Sequence, residues 1–345
     1  MAAKYFINYY EENSKCHEFD FKIFRDNILI QLSPNKIPIS LSNSIEETVF
    51  QFRNVIVSNM GLNPFFYKDH HCTSQYKNFC QLLIETQNGV QNKNQAAQLT
   101  LLVHFSKSLI ELKTMWDNFF DIISSLNITS EEFIFKKDLE VLFKKINLNR
   151  NINEKICQVV MSLTGVKELI FDFNLLSLNF FKMYSSALNG FAGVNNVFVG
   201  IKSIERFVSE LPDKFTEDQK NNILKINFTR LVIHETCHIV LRKALNNFNA
   251  SSPELIRKEM EVESSTIIEA GVLAEKAFFV ERIDWILSSR MSQFDLNYCI
   301  EFLNNLLNAT DQLPQFDFIQ SGCVLNTRKL IYMAIDFDDD YEEIE

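Results

Sequence analysis

The sequence is poor in the two residues that proteins use for tight turns. Its 345 residues include only 8 glycines and 6 prolines. Sandwiches, propellers and barrels of many short strands need such turns repeatedly. The scarcity of glycine and proline therefore rules against these folds and favours a mainly helical chain. Its length is enough to bury a full core and to form two domains.

An excess of positive charge and long apolar runs are also missing. The 34 Lys and Arg residues stand against 44 Asp and Glu residues, a net charge of −10, whereas a general nucleic-acid binder needs a cationic surface. No window reaches the roughly 18 apolar residues of a membrane helix, and no apolar signal segment precedes Glu11. Seven scattered Cys without C-x-x-C are typical of reduced thiols. We expect a cytoplasmic protein with neither nucleic-acid nor membrane partners; the oligomeric state stays open.

Periodicity in the first half predicts helices after a short β element. Residues 1–40 hold short apolar runs typical of strands. Residues 44–163 carry apolar positions at helical spacing, with a helix predicted from Thr129 to about residue 146 and another over about 152–163.

The second half begins with β-like segments and continues with long helices. The run KELIFDFN, from Lys167, is β-like, and residues 189–203 predict a hairpin or an edge strand. Three helices are predicted after them: about 217–247 from a Thr216 cap, from Ser252–Pro253 to about 289, and from an Asp295 cap to about 308.

These patterns together predict a mainly α (α+β) fold. The predicted parts are an α-rich N-terminal domain with a short β element at its start over 1–165, a second domain over 166–335 that contains a small β-sheet and long helices, and an acidic tail over 336–345.

One motif indicates a metal site: His234, Glu235 and His238 form H-E-x-x-H within LVIHETCHIVL. Side chains four residues apart on a helix project from one face, so both imidazoles can share one tetrahedral Zn²⁺ ion. Glu235 then lies near the open side of the metal, where it can take a proton from bound water. The alternative is that both histidines are ordinary helix residues with polar neighbours.

The motif resembles that of the zincin metallopeptidases. The resemblance implies zinc ligation by His234 and His238, a general base at Glu235, and an edge strand before the active-site helix, for which residues 194–202 are the candidate. The metzincin continuation H-x-x-G-x-x-H is absent, and no histidine follows His238. A third ligand later in the chain must then be a carboxylate or Cys, which is similar to the gluzincin arrangement.

Glu269 is the expected third ligand and Glu275 the alternative. Glu269 lies in the apolar run TIIEAGVLA, where a carboxylate needs a cation or a full set of hydrogen bonds. The neighbouring Gly271 is costly inside a helix, which suggests that another backbone packs closely there. Glu275 lies about 240° around the helix from Glu269 and is expected to support the site or to be solvated. Neither N-E-x-x-S-D nor an Asp four residues after Glu269 is present, because Leu273 stands there.

Other candidates are weaker. The tetrad Asp69–Cys72 matches that of protein palmitoyltransferases, which need membrane spans that this chain lacks, and we interpret it as coincidence. Cys237 is expected to be a buried, inert thiol rather than a nucleophile. Tyr298 and Tyr332 are alternatives for a donor to the transition state.

The expected function is therefore that of a zinc-dependent hydrolase, a metallopeptidase that cleaves peptide or protein substrates with water activated by Glu235. The alternative is a catalytically inactive helical interaction protein with a vestigial or chance motif. A secreted toxin or effector is a third alternative.

Overall fold

The computed structural model describes Ala97 and residues 126–183, 188–245 and 269–326. The predictions for the N-terminal β element, the Asp69–Cys72 tetrad, Tyr332 and the acidic tail lie outside the described residues. Contacts divide the chain into two compact units, Met1–Ile128 with Lys182–Ser185 and Thr129–Phe181 with Ser186–Glu345. The domain boundaries inferred from sequence stay a prediction.

The described residues are mostly helical with a small mixed sheet, which confirms the predicted mainly α (α+β) class. In chain order the elements are β1 (Asn127–Ile128), α1 (Lys136–Leu148), α2 (Arg150–Thr164), a 3₁₀ turn (Phe173–Leu175), β2 (Ser177–Lys182), β3 (Gly190–Ala192), β4 (Asn196–Gly200), α3 (Ile201–Glu210), α4 (Glu217–Ala244), α5 (Ala270–Phe279), α6 (Trp285–Arg290), α7 (Leu296–Leu307) and α8 (Phe318–Ser321). Among these described helices, none is both long and apolar enough to cross a membrane.

The sheet has the strand order β1-β2-β4-β3. Strand β2 runs parallel to β4, with Ser177 opposite Asn196, and β3 runs antiparallel to β4, with Gly190 opposite Val199. The candidate edge strand over 194–202 was therefore wrong, because β4 has a neighbour on both sides. The alternative prediction for 189–203, a hairpin, is confirmed by the antiparallel pair of β3 and β4. The continuous apolar run Val-Phe-Val of β4 is typical of an interior strand, and the short strand β3 lies at the edge instead.

Two further sequence predictions differ from the structure. The run KELIFDFN contains no strand; the strand begins only at Ser177, after the 3₁₀ turn. Helix α1 begins at Lys136 rather than Thr129, because the Thr129 hydroxyl accepts the N–H of Glu131 at 3.0 Å and closes a local turn instead of capping a helix.

Helix α4 is the central element and begins where the sequence predicts. The Thr216 hydroxyl accepts the N–H of Gln219, whose side chain accepts the N–H of Thr216 in return, which is a complete capping box. The helix packs against α1, α2, α5, α7 and β3. Most of its second half is buried in the main hydrophobic core. The H-E-x-x-H motif therefore lies in a largely buried part of the molecule.

The helix predicted from Ser252–Pro253 to about 289 is interrupted. Glu269 has an extended backbone (φ −105°, ψ 140°) and caps α5, which ends before Val280. Asp284 then caps the separate helix α6 by accepting the N–H of Leu287. The prediction for α7 is confirmed, since Asp295 caps that helix by accepting the N–H of Tyr298.

Candidate metal centre

Two histidines lie one turn apart on the buried face of α4. His234 is 7% exposed, and the centroids of the His234 and His238 rings are 5.1 Å apart. This proximity follows from the four-residue spacing on a helix. Apolar neighbours such as Ile233 and Ile239 surround the pair on the same helix. The helix therefore presents two imidazoles together in a largely buried site.

Glu269 reaches this pair from the start of α5. Its Oε1 contacts Nε2 of His238, and its Oε2 lies 3.5 Å from Nε2 of His234. The same Oε2 accepts the N–H of Val272 at 3.1 Å, which fixes the carboxylate as the helix cap. One donor atom from each of the three residues lies within 4.8 Å of the others. The structure thus brings together the three residues that the sequence nominated as ligands.

The donor set fits a metal ion. Nε2 of His234 is buried and, among the described residues, has no hydrogen-bond partner. A buried nitrogen without a partner is costly, and a cation shared with His238 and Glu269 would satisfy it. Two imidazole nitrogens and a carboxylate oxygen are ordinary ligands of divalent transition metals. The largely buried His-His-Glu group can therefore hold a metal ion.

Glu235 lies in the motif but outside this group of ligands. It is 1% exposed, and its Oε1 is another buried atom with no hydrogen-bond partner in the part of the chain that the structure describes. Burial raises the pKa of Glu235, although the charges of His234 and His238 oppose the rise. A buried carboxylate with a raised pKa holds a proton more readily than an exposed one.

Glu275, the alternative ligand, binds the opposite side of His234. Its Oε1 lies 2.7 Å from Nδ1 of His234 and accepts a hydrogen bond of 2.7 Å from Nη1 of Arg230. Glu275 is 1% exposed, so the alternative in which its side chain is solvated was wrong. Arg230 was missed in the sequence; its position one turn before His234 was the only available signal.

The charges in this cluster shift each other's pKa values. Burial alone would lower the pKa of His234, but Glu269 and Glu275 reverse the effect and raise it to about 9. Burial alone would raise the pKa of Glu269, yet the charges of His234 and His238 hold it well below its usual range. The pKa of Glu275 is also lowered: Arg230 and His234 outweigh its burial. The cluster thus favours ionised carboxylates at Glu269 and Glu275.

Arg242 ties the same helix face to the edge of the sheet. Its Nη1 donates to the carbonyl oxygens of Ala192 at 2.9 Å and Gly193 at 3.3 Å, at the end of β3. Burial lowers the pKa of Arg242 to about 10, against the opposing charges of Glu235 and Glu269. This buried cation was also missed in the sequence, although it lies one turn after His238.

The structure explains why residue 271 is a glycine. A Cβ atom at this position would lie 2.5 Å from the ring atoms of His234. The close neighbour is therefore the imidazole of His234, whereas the sequence had suggested another backbone. Only a residue without a side chain leaves room for His234 beside α5.

The remaining candidates do not join the cluster. The thiol of Cys237 is buried and donates to the carbonyl of Ala270 at 3.4 Å, and burial raises its pKa, which disfavours a nucleophilic thiolate. The hydroxyl of Tyr298 accepts the N–H of Asp317 at 2.5 Å.

Comparisons with known proteins identify no relative of this chain. No protein family, curated protein or solved structure matches the chain. The functional conclusion therefore rests on the geometry of His234, His238 and Glu269 and on the groups around them.

Proposed function

We propose that the protein is a zinc-dependent hydrolase, a metallopeptidase similar to the gluzincins that cleaves peptide or protein substrates. The observation that carries the proposal is the convergence of His234, His238 and Glu269, with a buried ring nitrogen of His234 left without a described partner. The H-E-x-x-H spacing explains the two histidines, and the carboxylate comes from a separate helix.

Zinc is the metal proposed for this site. It accepts nitrogen and oxygen ligands, and catalytic zinc sites commonly keep three protein ligands and one open position. A zinc ion bound by His234, His238 and Glu269 would supply Lewis acidity, which polarises a carbonyl and lowers the pKa of water. The buried setting strengthens such electrostatic effects, because little solvent screens the charges.

Glu235 is proposed as the general base. It follows His234 by one residue, about 100° further around the helix, so it lies beside the face that carries the two histidines. Burial raises its pKa, which brings the carboxylate closer to the range in which it can both take and return a proton near neutral pH. In this role Glu235 removes a proton from the attacking water and delivers it to the leaving amine.

The Glu235→Gln variant tests the mechanism. Gln has the same shape but cannot accept the proton, so we expect zinc content to stay near one per chain while peptide hydrolysis falls by roughly 10²- to 10⁴-fold. His234→Ala is expected to lose both zinc and hydrolysis. Zinc content is measured by elemental analysis. Hydrolysis is measured by incubation with a mixed peptide library and detection of the cleavage products.

Glu281→Gln is the matched control, because Glu281 is a half-exposed carboxylate on the same segment, paired with Lys276 at 2.9 Å. It should retain both zinc and activity. Full hydrolysis by Glu235→Gln would refute the proposed base. A wild-type protein that binds no zinc would instead favour the alternative, an interaction protein with an inactive motif.

A further inference from the structure

Glu275 lies between a buried cation and the back of a candidate metal ligand. Its Oε1 is 2.7 Å from Nη1 of Arg230 and 2.7 Å from Nδ1 of His234. All three side chains are largely or fully buried: the exposed fractions are 13% for Arg230, 9% for His234 and 1% for Glu275. Little solvent therefore competes for these two contacts.

The contact at Nδ1 decides what the other ring nitrogen can do. A neutral imidazole carries one N–H donor and one lone pair. A carboxylate at Nδ1 can only accept, so it places the proton there and leaves the lone pair on Nε2. In the structure Nε2 is the atom that faces Glu269, at 3.5 Å from Oε2. The carboxylate thus selects the tautomer of His234 that can bind a metal.

We propose that Glu275 and Arg230 are positioning residues that hold His234 with Nε2 directed at the metal. This inference rests on the proposed function. Glu275 orients the ring through Nδ1–H, and Arg230 holds the carboxylate in place with an ion pair of 2.7 Å, because an unpaired buried carboxylate would be strongly disfavoured. Gly271 completes the arrangement, since it leaves the space beside the ring that His234 occupies. Neither Glu275 nor Arg230 touches the metal in this arrangement.

Zinc affinity of the Glu275→Gln variant tests the proposal. Loss of the partner that orients a metal-binding histidine weakens metal affinity by roughly 10- to 100-fold, and we expect a loss in this range. The full chain is stripped of metal and titrated with zinc against a chromophoric chelator of known affinity. Glu281→Gln is the control, since it makes the same change of carboxylate to amide on a half-exposed side chain.

A second variant, Arg230→Gln, keeps Glu275 but removes its cation. We expect weaker zinc binding than in the wild type, with a smaller loss than in Glu275→Gln. This variant also keeps the proposal testable if Glu275→Gln does not fold, because unchanged zinc affinity in a folded Arg230→Gln protein would overturn the role of Arg230 and of the ion pair.

A proton NMR signal provides a readout that does not require metal. A ring N–H donated to a buried carboxylate exchanges slowly with water and resonates far downfield. We expect such a signal from His234 in the metal-free wild type, assigned by its loss in His234→Gln. It should move upfield in Glu275→Gln and stay unchanged in Glu281→Gln. A purely structural role of Glu275 would lower stability without this change.

The outcomes separate the two proposals. Zinc binding by the wild type together with affinity within about twofold in Glu275→Gln would overturn the positioning role and leave the proposed function standing. Absence of the downfield signal in the wild type would also overturn it. Failure of the wild type to bind zinc would reject the proposed function, and the positioning role would fall with it.

Discussion

At the scale of single residues, the site is a buried group of charges in which each charge is stabilised by the others. Glu235, Glu269 and Glu275 approach two imidazoles in a setting where each carboxylate alone would be costly. Glu275 has Arg230 as its cation, and Glu269 has the two histidines. Nε2 of His234 is buried without a hydrogen-bond partner among the described residues, and a metal would satisfy this atom.

Gly271→Ala tests how tightly the site is built. The added methyl group would lie 2.5 Å from the ring of His234, so the ring must move. We expect the free energy of unfolding to fall by about 1–3 kcal/mol, as in other overpacked cores, and zinc affinity to fall as well. Urea unfolding and zinc titration measure the two effects.

Gly165→Ala is the control for a change at glycine. Gly165 has a positive φ of 69° and open space around its Cβ position, so alanine there strains the backbone without packing against His234. Stability should fall while zinc affinity stays the same. If Gly271→Ala likewise affected stability alone, the packing of Gly271 on His234 would not control metal binding.

At the scale of elements, the site joins one long helix to the beginning of a short one. Helix α4 has 28 residues, a capping box and a largely buried second half, which gives its histidines a rigid support. Helix α5 has 10 residues and carries Glu269 as its cap and Glu275 in its second turn. The position of α5 therefore sets both carboxylates relative to α4.

The end of α5 is strained. Val280 has φ 66° and ψ −42°, and the N–H of Glu281 bonds to the carbonyl of Phe279 at 2.7 Å. This is a γ-turn with a β-branched residue in a region that only glycine adopts easily. Such strain is kept where the surrounding packing imposes it.

Val280→Gly should therefore stabilise the protein. Relief of about 1–3 kcal/mol of backbone strain outweighs the 0.5–1 kcal/mol entropy cost of glycine, and Val280 is 52% exposed, so little burial is lost. We expect the free energy of unfolding to rise by about 1 kcal/mol, measured by urea denaturation. Val141→Gly, at a half-exposed valine inside α1, should destabilise by a similar amount. A destabilised Val280→Gly protein would contradict the strained turn.

At the scale of the whole molecule, charge in the site links stability to pH and to metal. The pKa of His234 is raised from 6.5 to about 9, so its contribution to stability is complete below pH 6.5 and is lost as the pH rises through about 9. The lowered pKa values of Glu269 and Glu275 contribute stability above their ordinary value of 4.5 that is lost as the pH falls.

The contributions of His234, Glu269 and Glu275 should accordingly make the metal-free protein most stable between about pH 4.5 and 6.5. Thermal unfolding across this range and up to about pH 10 measures the effect, and His234→Gln should lose the alkaline decline. Saturating zinc should also reduce that decline, because metal binding displaces the proton from His234 and stabilises the folded state. An alkaline decline that persists in His234→Gln would assign it to other groups.

Features that depend on neighbours along the chain were predictable before the fold was known. The spacing of His234 and His238 follows from helical geometry, and the start of α4 follows from the local bonds between Thr216 and Gln219. The scarcity of glycine and proline likewise predicted a mainly helical chain. The nomination of Glu269 depended on its apolar surroundings, which are also visible in sequence.

Features that depend on packing between distant segments became visible only in the fold. The sequence placed Glu269 inside a long helix, whereas Glu269 caps α5. The sequence left a hairpin and an edge strand open over 189–203, and the structure shows the hairpin, with β4 between β2 and β3. Glu275 and His234 are 41 residues apart in sequence and in contact in space. Local propensity cannot report such a contact, because it arises from the way α5 packs against α4, and this packing selects the ring nitrogen of His234 that faces the site.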